Sequence, residues 1–184
     1  MNFWLRRFGG QQQSRGQGGQ SLLETAIAMP LLLGLAFNIL NFGYMWFMVL
    51  TLSAASRMGV GYASQGGQAI TTASAPGTTA VQNLVYDNLT NAISGATRTN
   101  AAVQVCISAN GVSGTGSSTH AQCVQAGPAF SFSAAAPDPE APVFLLQRVD
   151  VGYTVKPLIP GGAFNVILPA NLNFHRQVSM RSLF

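Results

Sequence analysis

Charge is what this sequence has least of. Of its 184 residues only 8% are Asp, Glu, Lys or Arg, while 48% are apolar. The acids are Glu24, Asp87, Asp138, Glu140 and Asp150, the histidines are His120 and His175, and Lys156 is the single lysine. Each shortage excludes something. Scattered basic residues with no stripe of Lys and Arg leave no track for a phosphate backbone, so no nucleic acid is expected among the partners. Two cysteines and two histidines do not make a zinc site: His120 lies between Cys106 and Cys123, but no fourth ligand is near. No elbow motif presents a nucleophilic serine. The glycine-rich residues 16–20 lack the Lys-Ser/Thr of a phosphate loop and follow no strand. Asp138 and Glu140, in a Pro-rich connector, read as solvent-facing, and His175 reads as exposed on the polar side of a strand. The expectation is therefore no catalytic residue, no cofactor and no metal.

What is present in excess is apolar chain. From Thr25 to Ser56 there is no charged residue, and Ala26 to Val49 is almost wholly apolar. As a helix, about 24 such residues extend roughly 36 Å, enough to cross a bilayer core. Pro30 inside the run is tolerated better in a membrane helix than in a soluble one. Asn38 and Asn41 share a face, either as helix-packing amides or as residues merely tolerated there. The net charge of +4 is uneven: Arg6, Arg7 and Arg15 precede the run with no acid among them. By the positive-inside bias, the N-terminus lies in the cytoplasm and the chain beyond the run lies outside. A cleaved secretory signal with Ser53-Ala54-Ala55 as its site is the competing reading. The expected divisions are a basic leader (1–19), a transmembrane helix (20–52), a helix extension and linker (53–75) and an exported domain (76–184).

Glu24 stands at the edge of this run. Ser21-Leu22-Leu23-Glu24 fits the capping box S-x-x-E, with Ser21 as N-cap. An acid in a first turn also meets the positive end of the helix dipole. Yet a carboxylate beside lipid is costly, and such residues are functional candidates by default.

The exported part reads as α+β, a second helix packed on a small antiparallel sheet. Thr78 is the expected cap of that helix, whose apolar face holds Val81, Leu84, Val85, Leu89 and Ala92 or Ile93. Residues 102–108 alternate, with Val103, Val105 and Ile107 on one face and Gln104 and Cys106 on the other. Residues 110–120 read as a loop. In the clearest strand Leu145, Val149, Val151, Tyr153 and Val155 face one side, with Arg148, Asp150 and Thr154 on the other. Leu172, Phe174, Val178 and Met180 alternate again. An even cysteine count in an exported domain favours a Cys106–Cys123 disulfide. It would close a loop of roughly 18 residues, a stabilisation of about 3 kcal/mol, on the outer side of the sheet.

The basic leader ending in Gly18-Gly19, with Glu24 as the fifth residue after Gly19, resembles the processing site of type IV prepilins. The longer stretch GGQSLLETAIAMPLLLGLAFNILNFGYM, then LSAASRMGVGYA with Arg57, is similar to the opening of TadE-like proteins. VDVGYTVKPLIPGGAF and NLNFHRQVSMRS resemble that family's closing strands. The resemblance implies a minor pseudopilin of a Flp (Tad) type IV pilus in the cytoplasmic (inner) membrane. It also implies a processing site at Gly19 and Gln20 cut by a prepilin peptidase, and an assembly role for Glu24. The implied partners are other pilins and pseudopilins, the inner-membrane assembly platform and membrane lipid. The alternatives are a filament-forming pilin-like subunit, or a membrane-anchored or secreted binding domain unrelated to pili.

Overall fold

The computed structural model describes residues 17–65, 76–133, 137–138, 140, 143–160, 169 and 171–183. The leader arginines, the linker after residue 65 and most of the connector 134–142 lie outside the described residues. Two helices, α1 (Gln17–Ser64) and α2 (Thr78–Ala92), precede β1 (Ala101–Cys106), β2 (Val112–Ser113), β3 (His120–Ala121), β4 (Cys123–Ala126), β5 (Phe144–Val155) and β6 (Leu172–Leu183). The main sheet is antiparallel, in the order β4-β1-β5-β6, and β2 and β3 form a separate two-stranded ribbon. The α+β class expected from the sequence is the one observed.

One side of the sheet carries the core. Val103, Val105, Val149, Val151 and Val155 are buried there, as the period-2 pattern of β1 and β5 predicts. Against them lies a stripe of α1: Asn41, Met45, Met48, Leu52, Ala55, Ser56, Val60 and Ala63 recur every three or four residues and are all buried. From α2, Val81, Val85 and Leu89 complete the layer. Burying each large apolar side chain contributes about 1.5–3 kcal/mol, so the upper half of α1 belongs to the domain core. Gly59 makes the close approach possible, because a Cβ there would stand 2.5 Å from Val85 Cγ2 and 3.3 Å from Val149 Cγ1. Tyr86 ties α2 to the sheet by donating its hydroxyl to the Ala101 carbonyl at 3.1 Å. Burial pushes its pKa up, against a smaller opposing pull from Arg98, whose guanidinium lies over the ring.

The other side of the sheet is not the wet face that alternation suggests. Arg148 and Asp150 are 2% and 0% exposed and joined at 2.6 Å. Arg148 also donates to Gln104 Oε1 at 3.3 Å and to the Ser133 carbonyl. His175 Nε2 lies 2.8 Å from Asp150 Oδ1, and its ring packs against Phe132 with centroids 5.2 Å apart. Phe130 sits over Gly152 so closely that a Cβ there would lie 2.8 Å from the ring. The chain after β4 thus folds back across the outer side of β5 and dries it.

Several expectations are corrected. Asp138 is buried, not solvent-facing, and accepts a two-pronged contact from Arg181 at 3.1 Å, while Glu140 meets the same guanidinium at 2.9 Å. His175 is a half-buried partner of Asp150 and not simply exposed. Gly77, not Thr78, occupies the N-cap of α2, and Gln82 and Tyr86 are buried on its face where Leu84 is half-buried. The helix extension expected after residue 52 runs to Ser64, and residues 66–75 lie outside the described residues. Residues 110–120 hold short strands and a 3-10 turn at Gly116–Ser118, in which His120 is held by Ser113 Oγ at 2.6 Å.

Cys106 and Cys123 are directly opposite in the β1–β4 register and are bridged. Cys106 is buried, while Cys123 is exposed. Replacing both by Ala should lower unfolding stability by about 3 kcal/mol, read from denaturant titration of the full chain in detergent. An unchanged midpoint would remove the bridge from any structural role. Asp150→Ala should cost about 3–5 kcal/mol, because it strands the buried Arg148. The pair Arg148→Met with Asp150→Leu should recover most of that loss. A single variant as stable as the parent would show that the outer side is wet after all.

Candidate functional site

The half of α1 that precedes the core stripe is largely exposed among the described residues. Residues 19–33 are exposed, including Leu22, Leu23, Ile27, Leu31 and Leu32. The helix is long and apolar enough to cross a membrane, and it runs through Pro30 without a break.

Gly19, Gln20 and Glu24 all lie on this exposed half. The structure corrects the capping box: α1 begins at Gln17, upstream of Ser21, so Ser21 is inside the helix and its carbonyl accepts from Thr25 Oγ1 at 2.9 Å. Glu24 is past the first turn and, among the described residues, has no hydrogen-bond or ion-pair partner. It borders a shallow groove with Ser21, Thr25, Ala28, Met29 and Leu32. Gly19 has nothing within 4 Å of where a Cβ would stand. A helical glycine costs about 1 kcal/mol relative to Ala, and no packing at Gly19 requires it.

The junction between the exposed and packed halves is at Asn41. Its amide forms a two-way clasp with the backbone of Ile159, donating to the carbonyl at 3.1 Å and accepting from the N–H at 2.9 Å. Asn41 is 0% exposed. The clasp brings the loop after β5 down to this level of the helix, leaving Leu158 exposed beside it. Around the same level Phe42, Trp46 and Phe47 point outward. The sequence reading put Asn38 and Asn41 on one face of the helix, as packing amides or as residues merely tolerated there. The structure separates them: Asn38 donates to its own helix at Gly34, and Asn41 holds the domain.

Asp150 and His175 form the one carboxylate–imidazole pair among the described residues. A cavity of about 340 Å³ lies beside it, bounded by Phe130, Ser131 and Asn173 among others. No hydroxyl or thiol among the described residues hydrogen-bonds this imidazole, so the pair has no nucleophile attached. Nor do the described residues contain three or more His, Cys, Asp or Glu grouped to hold a metal. Sequence reasoning passed over this pair because alternation put both residues on a presumed wet face. Gly152, mid-strand between them, was the available signal.

No curated protein and no solved structure matches the chain. Residues 19–60, which run from the glycine before Gln20 through the exposed half of α1 and most of its packed half, match the model of TadE-like protein, a family of Tad pilus components and the one its opening resembles.

Proposed function

We propose that this chain is a minor pseudopilin of a Flp (Tad) type pilus. It sits in the cytoplasmic membrane with its basic leader inside, is cut after Gly19 by a prepilin peptidase, and helps to assemble or initiate the pilus. Its α+β domain lies on the periplasmic or extracellular side. The observation that carries this reading is a coincidence at one place. A helical glycine that no packing requires, a carboxylate five residues on with no partner among the described residues, an exposed apolar helix and the start of the TadE-like match all fall at residues 19–24.

The membrane span in this reading is residues 20–40, shorter than the 20–52 expected from hydropathy. What supports the shorter span is the core stripe that begins at Asn41 and the clasp to Ile159, which no bilayer can surround. Twenty-one residues still extend about 31 Å, close to the thickness of the hydrocarbon core. Phe42, Trp46 and Phe47 then fall at the interface, where aromatic rings are favoured.

Cleavage leaves the amine of Gln20 near the membrane surface, and Glu24 is the carboxylate suited to pair with such an amine on a neighbouring pilin or pseudopilin. The assembly platform of the inner membrane would bring those subunits together. Co-expression with the cognate prepilin peptidase should give a mature chain that starts at Gln20 by mass measurement, and Gly19→Leu should remain full length. A chain left uncut, or cut near Ala55, rules this reading out.

Glu24→Gln tests the second half of the reading. The amide has nearly the same helix propensity and no charge, so the variant should be inserted and cleaved like its parent. A neutral amide cannot compensate an amine in a low-dielectric setting. Piliation, and cross-linking of the variant to pilin subunits, should fall to background. Normal piliation would mean that the charge of Glu24 has no part in assembly.

A further inference from the structure

The packed half of α1 leaves one groove open at the level of the aromatic residues. Its volume is about 250 Å³, and it is bounded by Phe42, Met45, Trp46 and Val49 of α1 and by Phe174 and Arg176 of β6. Five of these six side chains are apolar, and the sixth is a cation. Arg176 is exposed. Among the described residues its guanidinium has no carboxylate and no hydrogen-bond acceptor; the contact at this residue is through its backbone carbonyl, which accepts from Ser56 Oγ.

We infer that this groove binds an anionic phospholipid of the bilayer that holds α1, with the acyl chain along Phe42, Trp46 and Val49 and the phosphate on Arg176. The inference rests on the membrane reading above, which puts residues 42–49 at the interface. Two observations select lipid as the occupant. Leu35 and Ile39 precede Phe42 and Trp46 on one face of α1 at helical spacing, and all four are exposed, so whatever surrounds the apolar half of the helix reaches the groove along that face. The charge is complementary too: a guanidinium forks onto phosphate oxygens in a planar, two-pronged contact. An arginine over an apolar trough matches a phosphate above hydrocarbon, with Trp46 at the depth its amphipathic ring favours. Arg57 is exposed as well, but it lies about 16 Å farther along the helix from Trp46, beyond reach of a headgroup seated at that level.

The sequence has two tryptophans, Trp4 and Trp46, so Trp4→Phe leaves Trp46 as the single reporter. The full chain carrying that change is placed in nanodiscs of phosphatidylcholine with one part in five phosphatidylglycerol, brominated on one lipid at a time. Brominated phosphatidylglycerol should quench Trp46 about threefold more than its one-fifth share of the lipid predicts, the result of a roughly fivefold preference, which is the scale of one basic side chain at an anionic surface. Arg176→Gln should reduce quenching to that share, and Arg57→Gln should leave the preference intact. Quenching by both lipids in proportion to their amounts overturns the site but leaves the membrane reading standing, as does a preference that survives Arg176→Gln. Quenching by neither lipid places Trp46 outside the bilayer and overturns the site together with the proposed depth.

Discussion

The structure depends on one continuous helix with two different surroundings. The lower half of α1 is exposed and apolar, and the upper half is the central rib of the domain core. A helix satisfies its own backbone hydrogen bonds, so it can pass from lipid into protein without a break, and no other element could make that transition as cheaply. The cost of the arrangement is that the domain must be fixed in height along the rod. The close approach at Gly59 resists slippage by a turn, which would bring a side chain against Val85 and Val149. The clasp between Asn41 and Ile159 fixes the height, since a displaced helix would leave a buried amide and two backbone groups unpaired.

The class of fold and the existence of α1, α2, β1, β5 and β6 were legible in the sequence, because each carries a clear period. The point where the exposed half of α1 gives way to core was not. Residues 26–49 are apolar on every side, and a hydropathy window sees no difference between a side chain facing acyl chains and one facing valines of a sheet. Asn41 is the single polar residue that marks the change, and it was visible but paired in the reading with the wrong neighbour. The helix start was also misplaced. S-x-x-E is a strong signal only where a helix begins, and Gln17 to Gln20 are compatible with helix despite the two glycines among them.

The outer side of the sheet was misread for a different reason. Alternation in β5 correctly separated Val149, Val151 and Tyr153 from Arg148 and Asp150, but it says nothing about what lies beyond the polar set. Phe130 and Phe132, two apart in an uncharged stretch, supply the cover, and Gly152 supplies the space for it. Once dried, Arg148 needs Asp150, Gln104 and the Ser133 carbonyl together to offset its desolvation. The same logic buries Asp138 under Arg181. Five of the fourteen charged residues, Arg148, Asp150, Asp138, Glu140 and Arg181, therefore sit in contacts that hold a return segment onto a sheet.

The capping box is better regarded as latent than as mistaken. In the full-length chain α1 begins at Gln17, so Ser21 and Glu24 are interior helix residues and the box has no open amides to close. Cutting after Gly19, as proposed, forbids any helix from starting before Gln20. Ser21 then becomes available as an N-cap, and Glu24 moves into the first turn, where open N–H groups and the positive end of the dipole favour a carboxylate. Processing would thus change the electrostatic surroundings of Glu24 without moving its Cα. Before the cut it is a charge with no partner among the described residues. Afterwards it has a new amine four residues away on its own chain and identical amines on any processed neighbour. The intrachain term is limited by the helix itself, because positions one and five lie a turn apart and compete with the capping geometry. A neighbour's amine has no such constraint, and meeting it requires two helices to align in height, which is the register that an assembling filament must set.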